Sequence, residues 1–179
     1  MLSDYVAVPK HIQETNKHVS LAADVFFINK NPFLATISEN IKLTTGKYLP
    51  NRRIQELLLG MKEAKALYTG SGFDVKTALM DGEFKPMRYD LLEMRVKLNI
   101  TAANEHSPII ERHIRVIKEQ MRAIRHTLPF KVIPLTMLIE MTYFSIFWIN
   151  AFPPKSGVSA TISPRKIITG QQLDYKKHC

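Results

Sequence analysis

The fold is decided by Val19-Ser20-Leu21-Ala22-Ala23-Asp24-Val25-Phe26-Phe27-Ile28, followed by Asn29-Lys30-Asn31-Pro32 and Phe33-Leu34-Ala35-Thr36-Ile37-Ser38. Two short apolar runs separated by turn residues predict an antiparallel hairpin. Ile41-Lys42-Leu43-Thr44-Thr45, set off by Glu39-Asn40, predicts a third strand and extends the hairpin to a meander. Asp24 is the odd residue of the first strand. It lies among Ala22, Ala23, Val25 and Phe26, where an uncompensated charge is costly, so a cation or backbone amides must satisfy it.

Downstream the apolar period lengthens from two to about 3.6. Ile54, Leu57, Leu58, Met61, Ala64 and Leu67 trace one face of a helix, which Gly70-Ser71-Gly72 stops. Residues 75–80 return as a strand ending at Asp81. Gly82 and Pro86 then break the chain before a short helix at 89–94, and residues 96–100 form a fifth strand. A long helix at 108–128 and an apolar helix at 134–149 follow. A three-stranded meander extended by right-handed crossovers is an α/β arrangement, a mixed five-stranded sheet flanked by helices. This is the element order of a ribonuclease H-like fold. The expected organisation is an N-terminal arm at 1–17 without clear periodicity, a core at 18–152, and a basic extension at 153–179.

The chain has 179 residues, 45% of them hydrophobic, which suits one domain with a substantial core. Lys and Arg number 25 against 16 Asp and Glu; the net charge of +9 and pI near 9.7 favour a polyanionic partner, nucleic acid or an acidic membrane face. The single cysteine, Cys179, allows no intrachain disulfide and no Cys-rich zinc site. With no basic stretch and apolar run at the start, this predicts an intracellular protein. Residues 132–152 are apolar enough to suggest a membrane span, but Glu140 at the centre, Pro134 and Asn150 argue for a buried domain helix with its aromatics, Trp148 included, in the core.

Two further carboxylates join Asp24. Asp81 ends its strand before Gly82, which lets the chain turn away; Asp-Gly is also an ordinary turn pair. Glu111 opens the long helix, where the helix dipole favours a carboxylate in any case. Taken together, three hard oxygen donors suit magnesium or manganese. Two such ions about 3.5–4 Å apart activate an attacking oxygen and stabilise a leaving one in displacement at phosphorus. On the long helix Ile110, Ile114, Ile117, Met121, Ile124 and Leu128 form a core stripe. Beside it run Glu111, Arg115, Lys118, Arg122 and Arg125, a carboxylate followed by four cations. Such a ridge suits DNA phosphates, although each cation taken singly reads equally as solvated surface. His106, His113 and His126 lack metal-ligand spacing and are expected at the surface or facing DNA.

Several segments together resemble the integrase region of copia-type retrotransposon polyproteins. They are Tyr5-Val6-Ala7-Val8-Pro9-Lys10, Leu79-Met80-Asp81-Gly82-Glu83-Phe84, Ile110-Glu111-Arg112 and Gly157-Val158-Ser159-Ala160-Thr161-Ile162-Ser163-Pro164-Arg165. The resemblance covers nearly the whole chain. It implies that Asp24, Asp81 and Glu111 are the D,D,E ligands of a two-metal magnesium or manganese site. The implied activity trims the ends of element DNA and joins their 3′ hydroxyls to target DNA, without a covalent enzyme intermediate or small-molecule cofactor. It further implies a homo-oligomer on DNA, no membrane partner, and a nuclear site of action after a cytoplasmic particle. The spacing from Asp81 to Glu111 is shorter than usual in the family. Glu105 and Glu119 are the alternative third ligands and are placed less well. The zinc module that precedes such cores is absent, since His11 and His18 have no Cys partners. The chain thus resembles a fragment of a polyprotein. Two other readings stand beside integration: a noncatalytic nucleic-acid-binding or assembly module, and ribonuclease H-like cleavage of RNA in a hybrid.

Overall fold

A computed structural model of the chain describes residues 8–100, 108–129, 131–171 and 173. Within the expected arm, α1 (Lys10–Thr15) is a short helix that buries Ile12, too brief to leave a period in the sequence. β1 (His18–Ile28) and β2 (Asn31–Ser38) form the hairpin, with Leu21 opposite Ser38 and Ile28 opposite Asn31. Asn29 and Lys30, at φ 48° and 67°, make a turn whose hand matches the twist of paired strands. β3 (Thr44–Tyr48) starts three residues later than the pattern suggested. Lys42, at φ 62°, interrupts extended backbone, and Ile41 and Leu43 are buried in the connection instead.

α2 (Ile54–Gly70) crosses to β4 (Asp74–Met80); a 3-10 helix (Gly82–Met87) and α3 (Arg88–Glu93) lead to β5 (Lys97–Ile100). The strand order is β3-β2-β1-β4-β5. The meander is antiparallel, and β4 and β5 are parallel additions, as the predicted crossovers require. α4 (Pro108–Thr127), α5 (Leu135–Ala151) and α6 (Pro164–Thr169) follow.

Side chains alternate across the sheet and divide the core into two layers. Leu21 and Ala23 of β1 pack with Leu34, Met61, Tyr68 and Leu91 on the side of α2 and α3. Ala22 and Phe26 pack with Phe33, Ile37, Ile114, Ile117 and Leu138 on the side of α4 and α5. The stripe predicted on α4 is the buried one: Ile110, Ile114, Ile117 and Met121 are buried, and Ile124 and Leu128 are partly so.

The pairing of β1 with β4 contains an irregularity that positions the site. Val19 pairs with Val75, but Ser20 pairs with Thr77, so Lys76 is an extra residue. A one-residue slip reverses which face every later side chain occupies. Beyond it, Thr77 and Leu79 share a face with Ser20 and Ala22. Thr77 donates a hydrogen bond to the Ser20 hydroxyl at 2.6 Å, directly after the slip.

Two expectations about helices are corrected. On α2, Ile54 and Leu67 are 41% and 50% exposed; the buried line is Leu57, Gly60, Met61, Ala64 and Tyr68. Gly60 allows this closer approach, since a Cβ there would come within 2.7 Å of Leu34. On α5 the aromatics are not core. Phe144 and Phe152 are half-exposed, and Trp148 is partly exposed while packing on Phe144, Phe147 and Phe152. The inward face carries Thr142, Ser145 and Asn150, whose polar groups are satisfied there. Thr142 and Ser145 donate to the carbonyls of Leu138 and Met141, and Asn150 bonds both the N–H and the carbonyl of Thr44 in β3. A hydropathy pattern does not register polar groups satisfied in this way.

Within the segment expected as an extension, α6 is capped by the Ser163 hydroxyl at its start and by Gly170, at φ 67°, at its end; Ile167 and Ile168 are buried against the α2 layer. Among the described residues no helix is long and apolar enough to cross a membrane.

Replacing Thr77 by Val removes the bond to Ser20 at nearly constant volume. A loss of about 1 kcal/mol in unfolding free energy is expected, read from the urea midpoint. An unchanged midpoint would show that this bond does not hold the register.

Candidate active site

Asp24 is the even-numbered residue between Ala22 and Phe26, so alternation places it on the α4 side of the sheet. It is partly buried, its Oδ1 accepts the Val25 N–H at 2.7 Å, and small Ala35 lies opposite it in β2. Backbone amide donation thus supplies part of the compensation that its surroundings demand.

Asp81 follows β4 directly in extended backbone, φ −69° and ψ 166°. The last β1–β4 pair is Ala22 with Leu79. Continued two residues further, the same register would set Asp24 level with Asp81, one residue past the end of β4. The extra residue at Lys76 would give both the same face; without it Asp24 would register with Met80. Glu111 lies in the first turn of α4 and is exposed.

Asp24 and Glu111 share the wall of one cleft of about 360 Å³, with Phe27, Arg115, Lys118 and Arg122 also in its lining. The structure therefore gathers two of the three predicted carboxylates. Asp81, one residue beyond β4, is not among the cleft's lining residues. Among the described residues, no three His, Cys, Asp or Glu side chains stand close enough together to hold a metal ion. The donor chemistry nonetheless suits a hard divalent ion, since every candidate ligand is a carboxylate. Of the alternatives for the third ligand, Glu119 is exposed outside this cleft, and Glu105 lies outside the described residues, as does His106.

The four predicted cations follow one another along α4. Arg115, Lys118 and Arg122 line the cleft with Glu111; Lys118, Arg122 and Arg125 line the next cleft along the helix. Arg115, Arg122 and Arg125 are exposed and Lys118 is partly buried. This places one continuous basic edge beside the carboxylates.

The sequence reading did not single out Arg52 or Phe27. Arg52 binds Glu83 at 2.6 Å and lies over the Phe27 ring, 5.6 Å from its centroid. It links the 3-10 helix after Asp81 to the end of the strand carrying Asp24. Neither residue had a sequence signal, because the contact joins a loop, a strand end and a short helix.

His113 departs from expectation. It is partly buried, and its Nδ1 lies 3.2 Å from the Thr44 hydroxyl of β3, rather than at a DNA-facing surface. Burial, assisted by the charges of Lys42 and Arg112, lowers its pKa from about 6.5 to about 4. His126 is exposed in the last turn of α4.

No protein-family model matches the chain, and no curated protein matches it in sequence. Among solved structures, the catalytic core domain of BIV integrase superposes with a TM-score of 0.62, covering 89% of this chain and 98% of that one at 14% sequence identity. The chain has the ribonuclease H-like fold of an integrase core. At this identity the likeness concerns the fold, and the candidate ligands rest on this chain's own residues. Asp24 lies within central strand β1, Asp81 directly follows the neighbouring strand β4, and Glu111 shares the cleft with Asp24 from the helix packed on that side.

The His113 shift has a definite sign. Its folded pKa lies below its unfolded value, so the unfolded state binds more protons between pH 4 and 6.5. The contribution is complete above about pH 6.5 and is lost as pH falls toward 4. His113→Gln should therefore show a shallower fall in thermal midpoint between pH 7 and 5 than the wild type. Parallel curves would exclude His113 as a source of acid sensitivity.

Proposed function

We propose that the chain is the catalytic core of a retroelement integrase of the copia type, processing element DNA ends and transferring their strands into target DNA. The observation that carries this reading is the cleft shared by Asp24, Glu111 and three α4 cations; continuing the β1–β4 register would set Asp81 level with Asp24. The integrase-type fold supports it.

Asp24, Asp81 and Glu111 would hold magnesium or manganese, which when bound supplies activation of the attacking oxygen and stabilisation of the leaving oxygen at phosphorus. Packing of Ile110, Ile114 and Ile117 orients the helix that sets Glu111 in the same cleft as Asp24. Arg115, Lys118, Arg122 and Arg125 bind and orient the DNA strand through its phosphates. They specify position along the backbone rather than base sequence. Joining two element ends calls for at least two copies of the chain on DNA.

A second reading is favoured by one observation. Because no three candidate ligands cluster among the described residues, the basic edge can act without the metal site, as a noncatalytic nucleic-acid-binding module.

A strand-transfer assay on a labelled duplex end, in magnesium or manganese, separates the two. Joined product from the wild type, lost in Asp81→Asn and Glu111→Gln while DNA binding persists, is the expected result. DNA binding without joined product in any divalent metal leaves the noncatalytic module. Arg122→Gln should weaken DNA binding and reduce its log–log salt slope by roughly one, the value for one lost phosphate contact. An unchanged slope would remove Arg122 from the DNA path.

A further inference from the structure

The basic edge of α4 does not end at the carboxylate cleft. Past Phe27 a second cleft of about 250 Å³ opens, sharing Phe27, Lys118 and Arg122 with the first and adding Arg125. Its chemistry differs. Among the described residues no carboxylate lines it, and Met121, Leu138 and Met141 give it an apolar floor where α4 meets α5.

Phosphates alone need exposed cations, not an apolar recess. A recess of this size between cations has room for one planar heterocycle, while a base pair would not enter it. Phe27 stands at the junction of the two clefts, 44% exposed, with its ring held by the Arg52 guanidinium. Arg52 itself lines neither cleft, so it steadies the ring from outside them. An exposed aromatic fixed beside a line of cations is the arrangement on which bases of a single strand stack while their phosphates are neutralised.

We propose that this second cleft receives one unpaired nucleotide of a DNA strand lying along α4. Its base enters against Phe27 and the methionine-lined floor, and its phosphates meet Lys118, Arg122 and Arg125. The inference rests on the proposed DNA-binding role of α4 and adds a preference: the chain favours DNA ends with an unpaired nucleotide over blunt duplex. No metal ion and no chemical step are involved.

The test uses the full chain in buffer free of divalent metal, which separates binding from catalysis. A blunt duplex is compared by fluorescence anisotropy with the same duplex carrying a short single-stranded overhang that contains 2-aminopurine. The overhang should bind roughly tenfold more tightly, as expected for one stacked base, with quenching of the 2-aminopurine. Phe27→Leu, which keeps an apolar side chain on an exposed strand position, should lower overhang affinity to that of the blunt duplex and abolish the quenching. Arg125→Gln should weaken overhang binding. Equal affinity for blunt and overhanging DNA, or a preference and quenching that survive Phe27→Leu, would overturn the proposal while leaving α4 as a DNA track. Absence of salt-sensitive binding to any DNA would overturn that track as well, a distinguishable result.

Discussion

The site depends on the parallel pairing of β1 with β4 and on the single residue by which it slips. Lys76 is taken up between the pairs Val19–Val75 and Ser20–Thr77, and every later position of β4 changes face relative to β1. Continued past Ala22–Leu79, the slipped register would set Asp81 on the face and at the level of Asp24. An unslipped ladder would set Asp24 beside Met80 and Asp81 level with Val25, whose side chain packs on the α2 side. The Thr77–Ser20 hydrogen bond lies just beyond the slip, on the side where the two aspartates emerge. An irregularity of one residue thus does more for the site than any regular feature of the sheet.

α4 carries the second constraint. Its apolar stripe is committed to the sheet and α5, which fixes the rotation of the helix about its axis. Glu111 and the four cations follow at the same spacing on the neighbouring face, so the packing that buries Ile114 and Ile117 also aims the charged edge along the clefts. Core and candidate function are two faces of one helix. On α5, Thr142, Ser145 and Asn150 lie inward beside Leu138, Met141 and Ile146, while Phe144 is half-exposed and Trp148 partly so. The inward polar groups work because each has a backbone partner, and Asn150 additionally ties the helix to Thr44 of β3.

Legibility followed the range of the interaction. The hairpin, the crossover helix and the α4 stripe were readable because their signals lie within a few turns or residues of one another. Ser163-Pro164 and Gly170 likewise bracket a short helix whose caps are local. The start of β3 was misplaced because Ile41 and Leu43 look like strand residues but fill a buried connection past Lys42. The outward turn of Phe144 and Trp148 was missed because hydropathy ranks aromatics above Thr and Ser regardless of available backbone partners. His113 reads as a surface residue because its partner Thr44 lies 69 residues away in the chain, and nothing near it in sequence announces that contact.

By itself the sequence determined the order of elements, the mixed sheet, the basic charge, and the three carboxylates with a line of cations behind the last of them. These are properties of local periodicity and residue chemistry. Tertiary structure decided which face Asp24 occupies, that Asp24 and Glu111 share a cleft which Asp81 does not line, and that the basic edge continues past Phe27 into an apolar recess. The reason is physical: strand register and helix rotation are set by long-range packing, and a displacement of one residue in either reassigns every side chain that follows.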